Sequence, residues 1–529
     1  MADVLLIQPP IQELYLTARR TVPHGLACLA GPLRADGFDV EILDALATTR
    51  SRTIMWPQEM SHLRDLYGPV DSSPFALFHS YRHFGRSFEQ IADTVRDCDA
   101  SLVGIASLFT PYAEMALQVA ETVKAVRPQC TVVLGGHHPT ALPAQVMAHP
   151  AVDYVIRGEG EDALPALARA LRAGQPVDGI GGLVWREGDS LRVGTAARAA
   201  LDRHPPATDL IDADHYRGRA VVVTSRGCPM RCSYCCTGAG SELPYRRRSV
   251  ASVLEEISAH LQRGIRFIDF EDENLALDGA WLVELLERIV ALECPAELRA
   301  MNGLLPHTLD QPSIALMRRA GFRALNLSLG SSDPEQLRRW RRTDEREAFD
   351  RALAAAEAHG LGAVGYVIAA APGQEADRSV DDLLYLAGRR VLAGLSIYYP
   401  APGSEDHARC AVAGLLPDHL SLYRSTALPI ADRTSRLQAI TLLRLARILG
   451  FIKAELDRGA GLPAPAALER APPGKDRRVI GRALLAAFLY DGIIRGLGAA
   501  GELIEHPTDA ALCCQFVKGL GQIRLRGTL

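Results

Sequence analysis

The run AVVVTSRGCPMRCSYCC, residues 220–236, decides how the rest of the chain is read. Its first part is β-branched and apolar, the pattern of a buried strand. Its second part holds Cys228, Cys232, Cys235 and Cys236, whereas the remaining cysteines of the chain's 11 are scattered. Thiolates are soft ligands that suit iron–sulfur clusters and zinc. The first three stand at a C-x3-C-x2-C spacing. Cys236 adjoins Cys235, and neighbouring side chains diverge, so one cluster rarely takes both. Three protein ligands leave one metal position open, which a catalytic metal needs and a saturated structural site lacks. The competing readings are a zinc knuckle and loop thiols that only pack.

Downstream of this run, strand-like and helix-like stretches alternate. The strands are AVVVTS (220–225), RFIDFE (266–271), ELRAMN (297–302), ALNLSL (324–329), AVGYVIA (363–369) and LSIYYP (395–400). VASVLEEISAHLQRG (250–264) fills one gap as a helix that stops at Gly264. Six β/α units predict an open, partial TIM-like barrel with its chemistry at the carboxyl ends of the strands, and the cysteines follow the first strand.

Upstream, VLLIQPP (4–10), VEILDAL (40–46), LVGIASL (102–108), TVVLGG (131–136) and DYVIRGEG (153–160) predict a second parallel sheet with helices on both faces. Ligands bind such sheets beyond the carboxyl ends of the strands. SLF (107–109), GGHHPT (135–140) and GEGE (158–161) lie there. Residues 47–87 break the rhythm as an insertion. GGLVWREGDSLRVG reads as a hairpin within a linker. After about residue 405 the strand signal fades into helical periodicity, with a loop over 464–478. The expected organisation is 1–175, a doubly wound domain; 176–215, a linker; 216–405, the barrel; and 406–529, a helical region.

The 529 residues are 48% hydrophobic and 23% charged with a net charge of −4, which argues against a broad basic surface for nucleic acid. MADVLLIQPPIQE lacks the basic start of a signal peptide. The most apolar run, 483–501, is broken by Asp491 and Arg495, so no transmembrane segment is expected. A reducing cytoplasm is the expected location. There, clustered cysteines point to metal or catalysis. Cys513-Cys514 reads as core packing.

Cys228-Pro-Met-Arg-Cys232-Ser-Tyr234-Cys235 resembles the signature of the radical S-adenosylmethionine (SAM) superfamily, with its aromatic residue before the third cysteine, and the resemblance covers roughly 215–405. It implies that Cys228, Cys232 and Cys235 hold a [4Fe–4S] cluster whose open iron chelates SAM. One-electron reduction, by an external flavodoxin or ferredoxin type of partner, then yields a 5′-deoxyadenosyl radical. It also implies SAM contacts from Tyr234, from Glu271 and Asp272 near the SAM amino group, from Arg299 and Asn302 near its carboxylate, and from Ser331. One departure stands out: where the subgroup often has Gly-x-Glu-Ser, this chain has Ser328-Leu329-Gly330-Ser331. Arg246 and Arg248 fit a recurrent pattern before the first long helix.

The words PHGLACLAGPLRADGFDVEILDA (23–45), VVLGGHHPT (132–140) and VDYVIRGEGE (152–161), in that order before the cysteines, are similar to the cobalamin-binding subgroup. That likeness implies cobalamin contacts from Ser107, Thr110, Gly135, Gly136, His137, Gly158 and Glu159. Glycines at 135 and 136 let backbone approach a large ligand. No Asp-x-His-x-x-Gly is present, so no histidine ligand to cobalt is implied, and His137 and His138 read as hydrogen-bonding loop residues. The expected activity is methylation of an unactivated carbon of a small molecule, secondary-metabolite or lipid-like. Cobalamin-dependent cyclisation, rearrangement or oxidation is the alternative. A radical SAM enzyme with an empty first domain and a non-catalytic cluster or zinc scaffold are the further readings.

Overall fold

The computed structural model describes residues 2–16, 22–238, 244–472 and 474–529. Strands β1 (Val4–Gln8), β2 (Val40–Asp44), β3 (Leu102–Ala106), β4 (Thr131–Gly135) and β5 (Tyr154–Ile156) build the first sheet. They pair in parallel in the order β2-β1-β3-β4-β5. This is a doubly wound order whose direction reverses between β1 and β3, where such sheets open a crevice. β1 is buried along Val4–Ile7 because helices cover both faces. Leu26 of α1 (His24–Ala35) and Leu164 of α4 (Ala163–Ala173) cover one face. Val95 of α2 (Phe88–Asp97) and Val119 of α3 (Ala113–Val126) cover the other. The expected hairpin forms as β6 (Leu183–Glu187) and β7 (Ser190–Val193). It does more than link, since β6 adds antiparallel to β5 with Trp185 opposite Tyr154.

All six strands of the second series are present: β8 (Arg219–Val222), β9 (Phe267–Phe270), β10 (Glu297–Ala300), β11 (Ala324–Gly330), β12 (Gly362–Ala369) and β13 (Leu392–Ile397). They form two parallel runs of three, β8-β9-β10 and β11-β12-β13. Parallel bridges at Leu298–Phe322 and Leu304–Leu327 join the runs. Helices α5 (Val250–Gln262), α6 (Gly279–Ala291), α7 (Gln311–Ala320), α8 (Arg346–Ala358) and α9 (Ala376–Ala387) wrap the outside. Along β12 burial alternates strictly. Ala363, Val367 and Ala369 are buried, whereas Val364, Tyr366 and Ile368 on the opposite face are only half-buried. A closed barrel fills its interior with side chains. This lumen is open.

The insertion at 47–87 belongs spatially to the far end of the chain. Tyr67, Phe75 and Tyr81 share one apolar core with Leu442 and Leu445 of α10 (Arg436–Asp457) and with Leu484 and Phe488 of α11 (Arg477–Asp491). Arg444 donates to the carbonyl of Tyr67 at 2.8 Å, and His506 Nε2 lies 3.0 Å from Asp71 Oδ2. The final region is helical as expected, ending in α12 (Ala510–Leu520), with one antiparallel pair, Arg495–Leu497 against Leu503–Glu505. Cys513 is fully buried in the α12 core and Cys514 is exposed. Among the described residues, no helix is long and apolar enough to cross a membrane.

Candidate functional site

The cysteine loop is fastened at three points. At its entry, Asp272, just beyond β9, accepts from Thr224 Oγ1 at 2.7 Å, from Ser225 Oγ at 2.6 Å and from the Thr224 N–H at 3.1 Å. Ser225–Arg226 then pairs antiparallel with Arg246–Arg247, which joins the two ends of the loop. In its middle, Ser233 Oγ donates to Asp406 at 3.0 Å and the Ser233 N–H to the carbonyl of Trp340 at 3.1 Å. Tyr234 sets its ring edge-on to Trp340 and accepts from Arg342 Nη1 at 2.8 Å. The residues between the second and third cysteines thus anchor in the barrel wall.

Cys228, Cys232 and Cys235 are half-buried and lie within electrostatic reach of one another. Burial raises the Cys228 thiol, and negative charge on Cys235 and Cys232 raises it further. Burial also raises Cys232, opposed by the Arg342 guanidinium. Burial therefore favours the neutral forms of Cys228 and Cys232, and a metal cation beside them would favour the thiolates. The donor set fits a shared iron–sulfur cluster in chemistry. The thiols do not crowd onto one point: among the described residues, no three His, Cys, Asp or Glu side chains are drawn together as a single ion needs.

The side chains expected around SAM divide into two groups. Four are committed elsewhere, Tyr234 among them through Trp340 and Arg342. Asp272 is the strand buckle just described, and burial holds its carboxyl above the usual range. Arg299 spends two nitrogens on Asp269 of the neighbouring strand, both at 2.6 Å. Ser331 is fully buried and donates to Asp382 of α9, 3.0 Å away. Glu271 and Asn302 stay at the mouth, joined by Asn302 Nδ2 donating to the Glu271 carbonyl at 2.9 Å. Glu273 was missed. Asp272 turns inward, whereas Glu273 lies within electrostatic reach of the cysteines. Burial pushes its carboxyl up to about 7, with Asp272 adding to the rise, and its charge reaches Cys228 and Cys236. Gly330 has a φ of 81°, and a Cβ there would lie 3.3 Å from Arg342. Arg342 therefore fills the ground beside the position where the resemblance leads one to expect a glutamate.

At the carboxyl ends of the first sheet, Ser107 Oγ is buried with no hydrogen-bond partner. Leu108 and Phe109 beside it are 50% and 51% exposed, an unusual display of apolar surface at a strand end. An unpaired hydroxyl and uncovered apolar side chains at the switch point fit a large, mostly flat ligand such as cobalamin. Gly136 has a φ of 121°, and a Cβ there would sit 2.5 Å from the Ser107 carbonyl oxygen, so glycine is required between β3 and β4. Thr110 Oγ1 lies 3.3 Å from His138 Nδ1, and burial pulls that imidazole down to about 4, so it is neutral. Gly135 ends β4, and His137 beyond it is exposed.

Gly158 and Glu159 serve a different joint. Gly158 bridges to Ala197. Glu159 is buried, accepts from the Ala199 N–H at 2.7 Å and pairs with Arg246, while Arg226 pairs with Glu161. Arg226 and Arg246 are the two sides of the cysteine-loop neck, so GEGE grips that neck from the first domain. Arg248 turns inward to Glu256 of α5. The two sheet ends also meet directly. A Cβ placed on Gly403, just past β13, would lie 3.8 Å from both Ala141 Cβ and Cys236 Cβ. Ala141 belongs to the short helix that follows β4.

Two family models match the chain: the B12 binding domain over residues 76–168 and the Radical SAM superfamily over residues 222–384. The chain is 28% identical over 415 residues to an uncharacterised methyltransferase of Pyrococcus horikoshii, covering 76% of this chain and 81% of that protein. It is 28% identical over 268 residues to an anaerobic magnesium-protoporphyrin IX monomethyl ester cyclase of Cereibacter sphaeroides, covering 48% of this chain and 43% of that one. Among solved structures, the radical SAM methyltransferase TsrM from Kitasatospora setae, with cobalamin and a [4Fe–4S] cluster bound, shares the fold. Its TM-score is 0.61 at 19% identity, over 78% of this chain and 75% of that one.

Proposed function

We propose that this chain is a radical SAM enzyme carrying a B12-binding domain and that it methylates an unactivated carbon of a small molecule. One observation carries the proposal furthest. The cysteine loop and the segment beyond the carboxyl end of β4 adjoin at Gly403, which puts the two expected cofactor sites side by side. When bound, the cluster with SAM supplies a carbon-centred radical, and cobalamin supplies a methyl group.

The chain's own residues do the rest. Cys228, Cys232 and Cys235 hold the cluster, and Arg342 beside Cys232 favours its anionic form. Glu271, Glu273 and Asn302 line the side of the mouth where the ammonium and carboxylate of SAM are read to sit. Ser107, Thr110, Gly135, Gly136 and His137 form the floor for cobalamin. The half-buried face of β12, with Tyr366 donating to Asn326 Oδ1 at 3.1 Å, lines the lumen that receives the substrate. Electrons come from a flavodoxin or ferredoxin type of protein, in the cytoplasm.

Methylation is favoured over ring closure because two methyltransferase relatives are matched over 76% and 77% of this chain and 81% of their own lengths, whereas the cyclases are matched over 48% to 65% of this chain. The test reconstitutes the full chain anaerobically with iron, sulfide and hydroxocobalamin and supplies methyl-deuterated SAM with a small-molecule extract. The expected result is 5′-deoxyadenosine together with a product carrying the labelled methyl. 5′-Deoxyadenosine with an altered but unlabelled product would favour cyclisation. No SAM cleavage would sink both.

A further inference from the structure

Leu420–Ala427 crosses between the two sheets, and Arg424 sits at its centre, 5% exposed. Arg424 Nη1 donates to the carbonyl of Gln12 at 2.7 Å and to Glu13 Oε2 at 3.1 Å, both in the short strand Ile11–Glu13 that follows β1 and pairs with Arg82–Phe84. Its Nη2 donates to the carbonyl of Pro111 at 3.0 Å, in the loop after β3. Those two segments follow β1 and β3 and so flank the switch point, where the sheet order reverses and the crevice opens. One planar guanidinium therefore spans the rim of the crevice. Glu13 completes the network: it accepts from Thr426 Oγ1 at 2.9 Å, from Tyr112 OH at 3.1 Å and from the Leu14 N–H at 2.7 Å.

The same segment is tied to the barrel and to the insertion. Ser425 Oγ donates to the carbonyl of Ile397, the last residue of β13, at 2.6 Å. Ser421 Oγ donates to Glu59 at 2.8 Å, and Tyr67 OH to the Thr426 carbonyl at 2.8 Å. No side-chain atom of Glu13 or Arg424 is left buried without a partner. A fully satisfied buried network fixes one arrangement, and a partly satisfied one does not.

We propose that this strap is the positioning element of the enzyme. Arg424 and Glu13 set the width of the switch-point crevice and hold it against the mouth of the barrel. This rests on reading the crevice as the cobalamin site. Arg424 is a positioning residue, acting through the carbonyls of Gln12 and Pro111.

The test uses the full chain with its cluster reconstituted, in four forms: wild type, Arg424→Lys, Arg424→Met and Glu13→Gln with Arg424→Met. Three quantities are read: the unfolding midpoint, iron per chain and the dissociation constant for hydroxocobalamin. Arg424→Met alone leaves Glu13 buried without its counter-charge and should lower the midpoint. The double variant removes both charges, and such replacements often restore stability. It should unfold near wild type and keep its iron, yet bind hydroxocobalamin about tenfold more weakly, because misplacement of about an ångström has effects of at least that size. Arg424→Lys keeps the charge without the fork and should fall between. Affinity equal to wild type in the double variant overturns the proposal. So does affinity that falls only in step with the midpoint across all the variants. Wild type that binds no hydroxocobalamin would overturn the cobalamin reading itself.

Discussion

Asp272→Ala and Asp272→Asn should behave as opposites. Asp272 is 2% exposed, and its Oδ1 takes three donors: Thr224 Oγ1 at 2.7 Å, Ser225 Oγ at 2.6 Å and the Thr224 N–H at 3.1 Å. Alanine strands all three. An unsatisfied buried donor costs about 1–3 kcal/mol. The two hydroxyls can rotate toward other acceptors, so the sum comes to about 3–5 kcal/mol. Asparagine keeps a carbonyl oxygen at Oδ1 and with it all three bonds. Burial already opposes the charged carboxylate, and hydrogen bonds alone work against that rise, so losing the charge should cost less than about 1 kcal/mol. Because Thr224 and Ser225 lead into the cysteine loop, Asp272→Ala should also lose iron on reconstitution, and Asp272→Asn should not. Urea unfolding, iron and sulfide per chain, and SAM binding by equilibrium dialysis measure this. An alanine variant with wild-type midpoint and full iron that fails only in SAM binding would refute the buckle and make Asp272 a direct contact. An asparagine variant as damaged as alanine would refute the neutral-acceptor argument.

Cys232→Ala should abolish iron incorporation while leaving hydroxocobalamin binding intact, since Ser107, Thr110 and Gly136 belong to the first domain; iron analysis and absorbance titration check both halves. Gly136→Ala forces a residue with a Cβ into a φ of 121° with that Cβ 2.5 Å from the Ser107 carbonyl oxygen. It should cost about 2 kcal/mol or more in urea unfolding and weaken hydroxocobalamin binding. Lys453 is fully buried, donates to the carbonyls of Arg389 and Arg526 at 2.8 and 2.9 Å, and is pulled down to about 7 by burial. An unfolded lysine keeps its proton to about 10.4. Between those values the unfolded chain binds more protons, so stability should rise with pH by up to about 1.4 kcal/mol per unit and be flat below about 7. Lys453→Met should remove that rise, measured as the difference in urea midpoints between variant and wild type at pH 7, 8 and 9.

What the sequence discloses is what is encoded locally. The eleven parallel strands read off as β-branched runs and the three thiols as a spacing, because a strand and a loop motif each lie within about ten residues of chain. Side-chain commitments across the fold are a different matter. Arg299 looks like a free cation at a barrel mouth until Asp269, 30 residues earlier, is seen on the adjacent strand taking both of its nitrogens. Ser331 meets Asp382 across 51 residues, and Glu159 meets Arg246 across 87. A buried charge takes the best counter-group within reach, and reach is set by the register of parallel strands, which no local pattern states. Asp272 and Glu273 stand side by side in one acidic run, yet Asp272 turns to Thr224 and Ser225 while the charge of Glu273 reaches Cys228 and Cys236, a division that the run itself does not state.

The insertion shows the limit from the other side. Its residues are ordinary amphipathic sequence, and only the last helices of the chain show what they bury against. A segment interrupting the first sheet and a segment following the last barrel strand make one core, and Arg424 stands where that core meets the crevice. The barrel and the first sheet are therefore held together twice. GEGE grips the cysteine-loop neck through ion pairs, and the strap grips the crevice rim through a buried network. Arg226, in the first grip, is about a quarter exposed, while Arg424 in the second is nearly fully buried. Salt screens exposed pairs far more than buried ones. Raising ionic strength should therefore loosen the neck before the rim, leaving cobalamin affinity intact while cluster assembly declines. The opposite order would mean that the neck, not the strap, sets the geometry between the two sites.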